Sequence, residues 1–199
     1  MKLIRTYGLI GSVRLLLDLI LTKIFYPSCR LIRFPFDIRS KKHIKLGKNF
    51  TSGRYCRLEA HPQTLHAESC LIIGERVQIN DFVHIVASEK VYIGNDVLIA
   101  SKVFISDLNH GSYGRHNLHD SPLTLPATRP LSSSPVYIED RVWLGEFVVV
   151  LPGVTIGSGS IIGSMSVVTK NIPANCIAIG SPAKVIKHFN FETNTWERV

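Results

Sequence analysis

The chain has 199 residues, 45% of them hydrophobic, and a formal net charge of +8, which predict one packed domain with a small attachment. The charge favours anionic partners, such as a nucleotide cofactor or an acidic membrane face, over nucleic acid, since no basic run is interleaved with aromatic residues. The four cysteines have neither metal-ligand spacing nor a disulfide framework, so we expect reduced, buried thiols in the cytoplasm: Cys29, Cys56, Cys70 and Cys176.

Residues 1–42 form an N-terminal arm that differs in pattern from the rest. The segment from Leu9 to Phe25 is apolar but carries charged residues, so it is too short and too charged to span a bilayer. No small-residue cleavage site follows it, which argues against a secretory signal. Its apolar residues recur at helical spacing. One interpretation is a helix that caps the end of the main domain. The other is an interfacial helix, with Arg30 and Arg33 near lipid headgroups and possible peripheral contact with the inner membrane.

Residues 43–188 form a second region, in which blocks of the chain repeat every six residues. Aliphatic residues recur at this spacing in two blocks, at Ile73, Ile79, Ile93 and Ile99, and at Ile138, Leu144, Val150, Ile156, Ile162 and Val168. A period of six fits neither an amphipathic helix nor a single hairpin and is typical of a parallel β-helix, with three hexads in each triangular coil. Gly, Asn or Asp after the aliphatic residue suits corners that need positive φ or close backbone approach. The eight-residue spacing from Ile85 to Ile93 predicts one wider corner.

The hexads stop after Ile105 and resume near Val136. The intervening loop, residues 106–135, contains four prolines and several polar candidates: Asp107, Asn109, His110, His116, His119 and Asp120. Long excursions from a rigid scaffold are usually functional. His110 lies near the root of the loop, where stiff coils hold it, and a neutral imidazole can take a proton from a hydroxyl. The alternative is a histidine that only bonds backbone. The register places His84 outward, at a subunit interface.

Two further features follow the loop. Trp143 stands just before the predicted turn at Leu144-Gly145 and is too bulky for a narrow interior, so it is either a surface side chain packed under the loop or an apolar wall for a thioester arm or sugar ring. Lys170, Lys184 and Lys187 gather toward the C-terminal end of the repeats. They are either a solvated face or a phosphate site beside exposed backbone amides. Residues 189–199 form a C-terminal tail.

Together, the hexads, the loop entry Ser-Asp-Leu-Asn-His110-Gly, the stretch Val-Trp143-Leu-Gly-Glu146 and Gly-Ser-Pro-Ala-Lys184 resemble the hexapeptide-repeat O-acetyltransferases. The similarity is strongest to members that modify bacterial O-antigen and capsular polysaccharides. The resemblance implies an all-β, left-handed parallel β-helix, acetyl-CoA as the acetyl donor, a sugar or polysaccharide acceptor and no metal. It also implies a homotrimer with each active site between two subunits.

The resemblance further implies individual roles. His110 matches the general base and Trp143 the indole beside it. Cofactor contacts match Glu146, Ser164, Thr169, Lys170, Lys184 and Lys187, and the acceptor side is formed by Asn80 together with Asn109. The family has an acidic residue where this chain has Ser88, which argues against a simple galactoside acceptor. Asp107, Asn109 or a carbonyl is expected to fix the tautomer of His110.

The expected reaction is direct transfer of an acetyl group from acetyl-CoA to a sugar hydroxyl, because no Ser or Cys stands in an obvious nucleophile setting. Three alternatives stay open at this stage. The same base would serve an N-acetyltransferase of an amino sugar. A γ-type carbonic anhydrase would need three well-placed histidines on zinc. A non-enzymatic scaffold for polysaccharide assembly would bind no acetyl-CoA.

Overall fold

The computed structural model describes residues 2–62, 69–114 and 117–199; His116 lies outside these ranges. A single helix, α1 (Lys2–Phe25), precedes the strands of the described chain. The strands are β1 (Phe36–Arg39), β2 (Ile44–Leu46), β3 (Thr51–Ser52), β4 (Cys56–Ala60), β5 (Leu71–Ile73), β6 (Gln78–Ile79), β7 (His84–Ala87), β8 (Val91–Ile93), β9 (Leu98–Ile99), β10 (Phe104–Ser106), β11 (Leu108–His110), β12 (Leu131–Ser133), β13 (Val136–Ile138), β14 (Trp143–Leu144), β15 (Val149–Val150), β16 (Thr155–Ile156), β17 (Ile161–Ile162), β18 (Val167–Val168), β19 (Cys176–Ile179), β20 (Lys184–Asn190) and β21 (Thr195–Arg198).

Three parallel sheets form the faces of a triangular prism, which the chain visits in rotation. Face I contains β2, β5, β8, β13 and β16; face II contains β3, β6, β9, β14, β17 and β19; face III contains β1, β4, β7, β10, β15 and β18. Equivalent hexads stack in register: Ile79 pairs with Ile99, and Leu144 pairs with both Ile99 and Ile162. The fold is therefore the left-handed parallel β-helix that the six-residue period and the family resemblance predicted.

The core is a column of aliphatic side chains inside the prism. The hexad residues of each face are almost fully buried, including Ile79, Ile99, Leu144 and Ile162 on face II. Because each strand alternates, the next side chain outward is free for surface chemistry, which places Trp143 outside and Leu144 inside. The repeat thus fixes both the core and the direction of the outward side chains.

The sequence predicted that the corners need both positive φ and close backbone approach. In the structure, these two requirements fall on different residues of each corner. Gly74 and Gly145 follow the aliphatic residue, and a Cβ there would lie 2.6 Å from the backbone of the next coil, at Gly94 O and Ser164 N respectively. Close approach therefore explains these glycines. Positive φ falls two residues later, at Arg76 (φ 56°) and Phe147 (φ 57°). The sequence named both requirements but not their separate positions.

Asp107 explains the wider corner between Ile85 and Ile93. Its buried carboxylate accepts hydrogen bonds from the backbone N–H groups of Ser88 (2.8 Å), Glu89 (2.8 Å) and Lys90 (2.7 Å). The extra residues of that corner are therefore satisfied by the first residues of the loop. Just beyond Asp107, β11 and β12 pair as an antiparallel hairpin at the corner between faces III and I, called the III/I corner below.

Helix α1 packs on the first coil through a polar side. Thr22 is buried and accepts a hydrogen bond from Ile32 N (2.8 Å), and buried Asp18 pairs with Arg54 (Nη2–Oδ2 2.6 Å). The helix is interrupted by a non-helical residue, Gly8 (φ 67°, ψ 178°). Most of the apolar side chains that recur at helical spacing lie outward instead: Leu9, Val13, Leu16, Leu17, Ile20 and Ile24. Over the described residues, no helix combines the length and hydrophobicity that crossing a bilayer requires.

The sheets extend beyond the ends of the hexad pattern. β1 pairs with β4 in face III, although it precedes residue 43, and β20 and β21 add two antiparallel strands to face II. These strands lack the six-residue signature, because antiparallel return strands and the first coil do not have to repeat the spacing of stacked parallel hexads.

Candidate active site

One cavity of about 320 Å³ lies at the corner between faces II and III, called the II/III corner below. It is lined by Asn80, Trp143, Gly145, Glu146 and Ser164, among others. These residues stand within face II strands or directly after them on stacked coils, which is why residues far apart in sequence line one groove. Trp143 is 48% exposed and forms one wall. The loop belongs to the other corner, so Trp143 is not packed beneath it, and the apolar-wall interpretation agrees with its place.

The backbone at this corner offers free donors, because the N–H groups of Ser101, Glu146 and Ser164 have no acceptor among the described residues. Gly145 N–H donates to Ile162 O (2.8 Å), so it is already used by the ladder. Glu146 N–H has no acceptor among the described residues, and Glu146 O accepts from Met165 N (2.8 Å). An amide in this state can donate to a ligand oxygen at no cost to the fold. Asn80 lines the same cavity and is held by a hydrogen bond from its Nδ2 to Ile99 O (3.1 Å).

A second cavity, of about 520 Å³, lies at the III/I corner and contains His110 and Asn109. Both side chains are exposed on β11, which pairs residue for residue with β12, with His110 opposite Leu131. The hydroxyl of Tyr113 donates to His110 O (2.6 Å) and so helps to fix the backbone of this residue. The imidazole therefore stands on a braced hairpin with its ring open to the cavity.

The opposite wall of the His110 cavity is a carboxylate–imidazole cluster. Glu59, which is 7% exposed, accepts hydrogen bonds from His61 Nε2 (3.1 Å) and His84 Nε2 (3.0 Å), and Arg39 lies 3.4 Å away. Burial by itself would raise the pKa of the Glu59 carboxyl, but these hydrogen bonds and the guanidinium lower it below its usual value. The cluster therefore presents a buried anion whose two imidazole neighbours face the cavity.

The sequence pattern does not indicate this cluster. The register placed His84 outward, which agrees with the structure, but no repeat or motif pointed to Glu59 or His61. The available signal was the ladder of face III, in which Arg57 pairs with His84 and Glu59 pairs with Val86. To predict these pairs from the sequence, one must know how many residues separate equivalent positions of the two coils. That number is not evident, because the hexad spacing is lost across residues 61–70.

The two side chains proposed to orient His110 differ in their place, since Asn109 lines the His110 cavity and Asp107 does not. Both carboxylate oxygens of Asp107 accept hydrogen bonds from the backbone N–H groups of residues 88–90. Burial raises the pKa of this carboxyl, although the same hydrogen bonds act to lower it. Asn109 lines the cavity beside His110. Ser88 is buried, and its hydroxyl donates to His61 O (2.9 Å). Asp107 therefore supports the corner from which the hairpin departs.

The predicted cofactor residues lie at two different corners. Glu146 and Ser164 line the II/III corner. Lys184 begins β20, directly after the last turn that the chain makes at this corner. Lys187 is half-buried further along β20. Thr169 and Lys170 follow β18 and therefore lie exposed at the III/I corner, on the His110 side. The lysine cluster that the sequence suggested is thus split between two edges of one prism.

The two cavities share no lining residue. One contains Trp143, Glu146 and Asn80, and the other contains His110. The geometry of one chain thus separates the proposed base from the proposed acyl-binding wall. Within the described residues, no three His, Cys, Asp or Glu side chains are grouped so as to hold a metal ion. The four cysteines are free and buried, as predicted, and burial raises the pKa of Cys56 to about 11.

A three-sided parallel β-helix built from stacked six-residue repeats is the architecture of the hexapeptide-repeat class of transferases. Residues 135–170 match the bacterial transferase hexapeptide family model, with six repeats. The chain is 49% identical over 198 residues to "Putative lipopolysaccharide biosynthesis O-acetyl transferase WbbJ" of Escherichia coli strain K12, covering 100% of this chain and 98% of that protein. The chain therefore belongs to the hexapeptide-repeat acetyltransferase family.

Two more distant similarities agree with this assignment. A galactoside O-acetyltransferase of E. coli K12 is 40% identical over 118 residues, covering 59% of this chain and 54% of that protein. The crystal structure of a mutant of AntD, an N-acyltransferase from Bacillus cereus, superposes with a TM-score of 0.68 at 22% identity, covering 87% of this chain and 89% of that one. The second similarity supports the fold alone. The protein is thus an acetyltransferase, as the sequence predicted.

Proposed function

We propose that this protein transfers an acetyl group from acetyl-CoA to a hydroxyl of a sugar in a bacterial surface polysaccharide, the O-antigen of lipopolysaccharide or a capsule. The observation that carries the proposal is His110, an exposed imidazole on a braced hairpin where the repeat is interrupted. The full-length similarity to a protein named for lipopolysaccharide biosynthesis supports this class of acceptor.

In the proposed mechanism, His110 accepts the proton of the sugar hydroxyl as its oxygen attacks the acetyl carbon. The free N–H of Glu146 donates to the oxyanion of the tetrahedral intermediate, and a donor of this kind lowers the barrier by about 3–4 kcal/mol in other enzymes. The C–S bond then breaks, and the proton held by His110 passes to the thiolate of CoA. Trp143 forms the wall beside the thioester, and Asn80 and Asn109 orient the acceptor.

This mechanism requires two chains, because His110 and Glu146 stand at different corners of one prism. A homotrimer would bring the II/III corner of one subunit to the III/I corner of the next and so join the two cavities. The same arrangement places Thr169 and Lys170 of one subunit with Ser164, Lys184 and Lys187 of its neighbour along one CoA. The split of the predicted cofactor residues between corners supports this assembly.

We further propose that α1 rests on the cytoplasmic face of the inner membrane. Its apolar side chains point away from the prism, and its one acidic residue, Asp18, is buried against Arg54, so the outward surface carries only basic charges, such as those of Arg5 and Lys23. An apolar surface flanked by cations is complementary to anionic headgroups. On this proposal, the enzyme acts where a glycan is assembled on a membrane carrier.

The test is acetyl transfer to de-O-acetylated surface polysaccharide by the purified protein. We expect release of CoA that depends on the glycan, together with a gain in glycan mass of one acetyl group. Mild alkali should remove this group, because esters are cleaved where amides survive. An alkali-stable acetyl group would assign the protein to N-acetylation of an amino sugar. Hydrolysis of acetyl-CoA with no acetylated glycan would reject the proposal.

A further inference from the structure

A third cavity, of about 380 Å³, lies between α1 and the first coils and is continuous with the II/III corner. Three guanidinium groups line it, those of Arg14 on α1, Arg33 in the first coil and Arg54 at the corner. No polysaccharide hydroxyl needs such a concentration of cations. Arginine is instead the side chain best suited to bind phosphate groups through two parallel hydrogen bonds.

Two of these arginines are held in place by the fold. Arg54 pairs with the buried Asp18 (2.6 Å) and also donates to Phe34 O, and Arg33 Nη1 donates to Ser52 O (3.1 Å). A guanidinium has five N–H donors, so each retains donors for a ligand. Arg14 is exposed and has no partner among the described residues. The groove is therefore partly preorganised and keeps free donors on both of its walls.

The acidic groups nearby are occupied. Asp18 is buried against Arg54, and Asp81, which also lines the groove, accepts a hydrogen bond from Arg54 N (2.7 Å). These two carboxylates offset part of the positive charge, so the groove suits a small, localised anion that takes direct hydrogen bonds. A phosphate group meets that description better than a diffuse polyanion does.

Asn80 connects this groove to the acetyl-transfer site, because it lines both cavities. Along the II/III corner, the coils run from Gly53 through Asn80 and Gly145 to Lys184 at the far end. If CoA occupies the part from Glu146 toward Lys184, an acceptor sugar at Asn80 has its remaining end in the arginine groove. The geometry thus orders donor, sugar and anion along a single edge.

We propose that this groove binds the phosphate or diphosphate group that joins the acceptor sugar to its carrier. This inference rests on the proposed function, in which the sugar lies at Asn80. The acceptor glycan would then bind more tightly when a phosphate group links it to its carrier than when it is released as free polysaccharide. Two carriers share this chemistry, an isoprenoid lipid and a nucleotide, and the experiment below distinguishes them.

Binding is measured by calorimetry at fixed ionic strength, with CoA present in excess so that the donor site is occupied. The probes are inorganic diphosphate, uridine diphosphate and farnesyl diphosphate. We expect wild-type protein to bind each of them saturably and Arg14→Gln/Arg33→Gln to weaken binding at least about tenfold, the loss expected from removing two charge-assisted contacts. Arg5→Gln, on the same helix but outside the groove, should bind as wild type does. Arg54 is left intact, because its removal would strand the buried Asp18.

Tighter binding of farnesyl diphosphate than of uridine diphosphate assigns a lipid carrier, and the reverse assigns a nucleotide. The inference is overturned if wild-type protein binds no diphosphate under these conditions or if Arg5→Gln weakens binding as much as the double variant does. If phosphatidylglycerol vesicles displace bound inorganic diphosphate and farnesyl diphosphate does not, the arginines belong to a membrane-binding surface, and the inference is overturned as well. Failure of the proposed function looks different: diphosphate would bind, but no polysaccharide would be acetylated.

Discussion

His110 leaves the prism at the first hairpin of the interrupted coil, so its backbone is fixed by β12 while its ring stays exposed. This combination suits a general base, which must reach the substrate without losing its orientation. The two neighbouring polar residues have different roles. Asp107 accepts hydrogen bonds from the amides of the wide corner, and Asn109 faces the cavity.

Replacing His110 with Ala should lower kcat about 10²- to 10⁴-fold, since that is the usual contribution of a positioned base. The exposed ring has no packing role, so the far-UV circular dichroism spectrum and the melting temperature should not change. The measurement is steady-state release of CoA with the acetylated glycan as product. His188→Ala, an exposed histidine on β20, is the matched control. Acetyl transfer by His110→Ala at close to the wild-type rate would contradict the assignment.

The carboxylate of Glu59 makes stability depend on pH. Its folded-state pKa is lowered, so it stabilises the fold above its unfolded pKa of about 4.3, and this stabilisation is lost as the pH falls through the folded-state pKa. At pH 7, Glu59→Gln should lower the free energy of unfolding by about 1–3 kcal/mol, the scale of hydrogen bonds to a charged group. Urea unfolding at pH 7 and below pH 4 measures it, and the difference from wild type should shrink at the lower pH.

The control for Glu59 is Glu75→Gln. Glu75 has an exposed side chain paired with Arg76 (3.2 Å), and such surface pairs contribute little. A difference between Glu59→Gln and wild type that stays constant from pH 7 to below pH 4 would show that packing, rather than the ionised carboxylate, is responsible.

At the level of elements, α1 reverses the usual amphipathic arrangement. A helix on a globular domain normally buries its apolar side, but here Asp18 and Thr22 face the first coil, while Ile10 and Leu17 are 77% and 53% exposed. The polar contacts are specific, since Thr22 bonds the backbone of Ile32 and Asp18 pairs with Arg54. The helix is therefore oriented by its polar side, and its apolar side is available to a membrane.

Replacing Ile10 and Leu17 with Gln should reduce flotation with vesicles that contain anionic lipid, because it removes two apolar side chains from the outward surface. Both residues are exposed in the single chain, so the melting temperature should stay within a few degrees of wild type. Leu123→Gln, a 92% exposed leucine in the loop, is the matched control and should float as wild type does. Undiminished flotation of the double variant would remove the membrane proposal.

At the scale of the whole molecule, the proposed mechanism makes assembly part of catalysis, because the two cavities are separate in one chain. If a site takes His110 from one chain and Asn80 from another, an oligomer in which every chain carries the same substitution, at His110 or at Asn80, is inactive. An oligomer that mixes chains substituted at His110 with chains substituted at Asn80 is partly active. This property separates a shared site from one contained in a single chain without any structure of the assembly.

We therefore expect His110→Ala and Asn80→Ala chains, inactive or weak when expressed separately, to regain activity when co-expressed. With random mixing, roughly a quarter of the sites in a closed trimer combine two unaltered halves, so activity should approach that fraction of wild type. Turnover per purified oligomer is the measurement, and light scattering gives its mass. Two His110→Ala chains with different tags, co-expressed in the same way, are the control. Absence of recovery in a confirmed trimer would place both residues in one chain's site.

The sequence by itself determined the architecture, because a six-residue period leaves one way to stack aliphatic side chains inward, and Ile79, Ile99, Leu144 and Ile162 are buried as predicted. It also determined the place of the interruption and the outward position of Trp143. Only the tertiary structure decided which corner each residue occupies. Corner assignment depends on coil lengths that change at residues 61–70 and 106–135, so His110 and Glu146 lie on different edges, and Glu59 joins His84 across a gap without hexads. The inward side of α1 was likewise decided by specific polar partners, which helical periodicity does not encode.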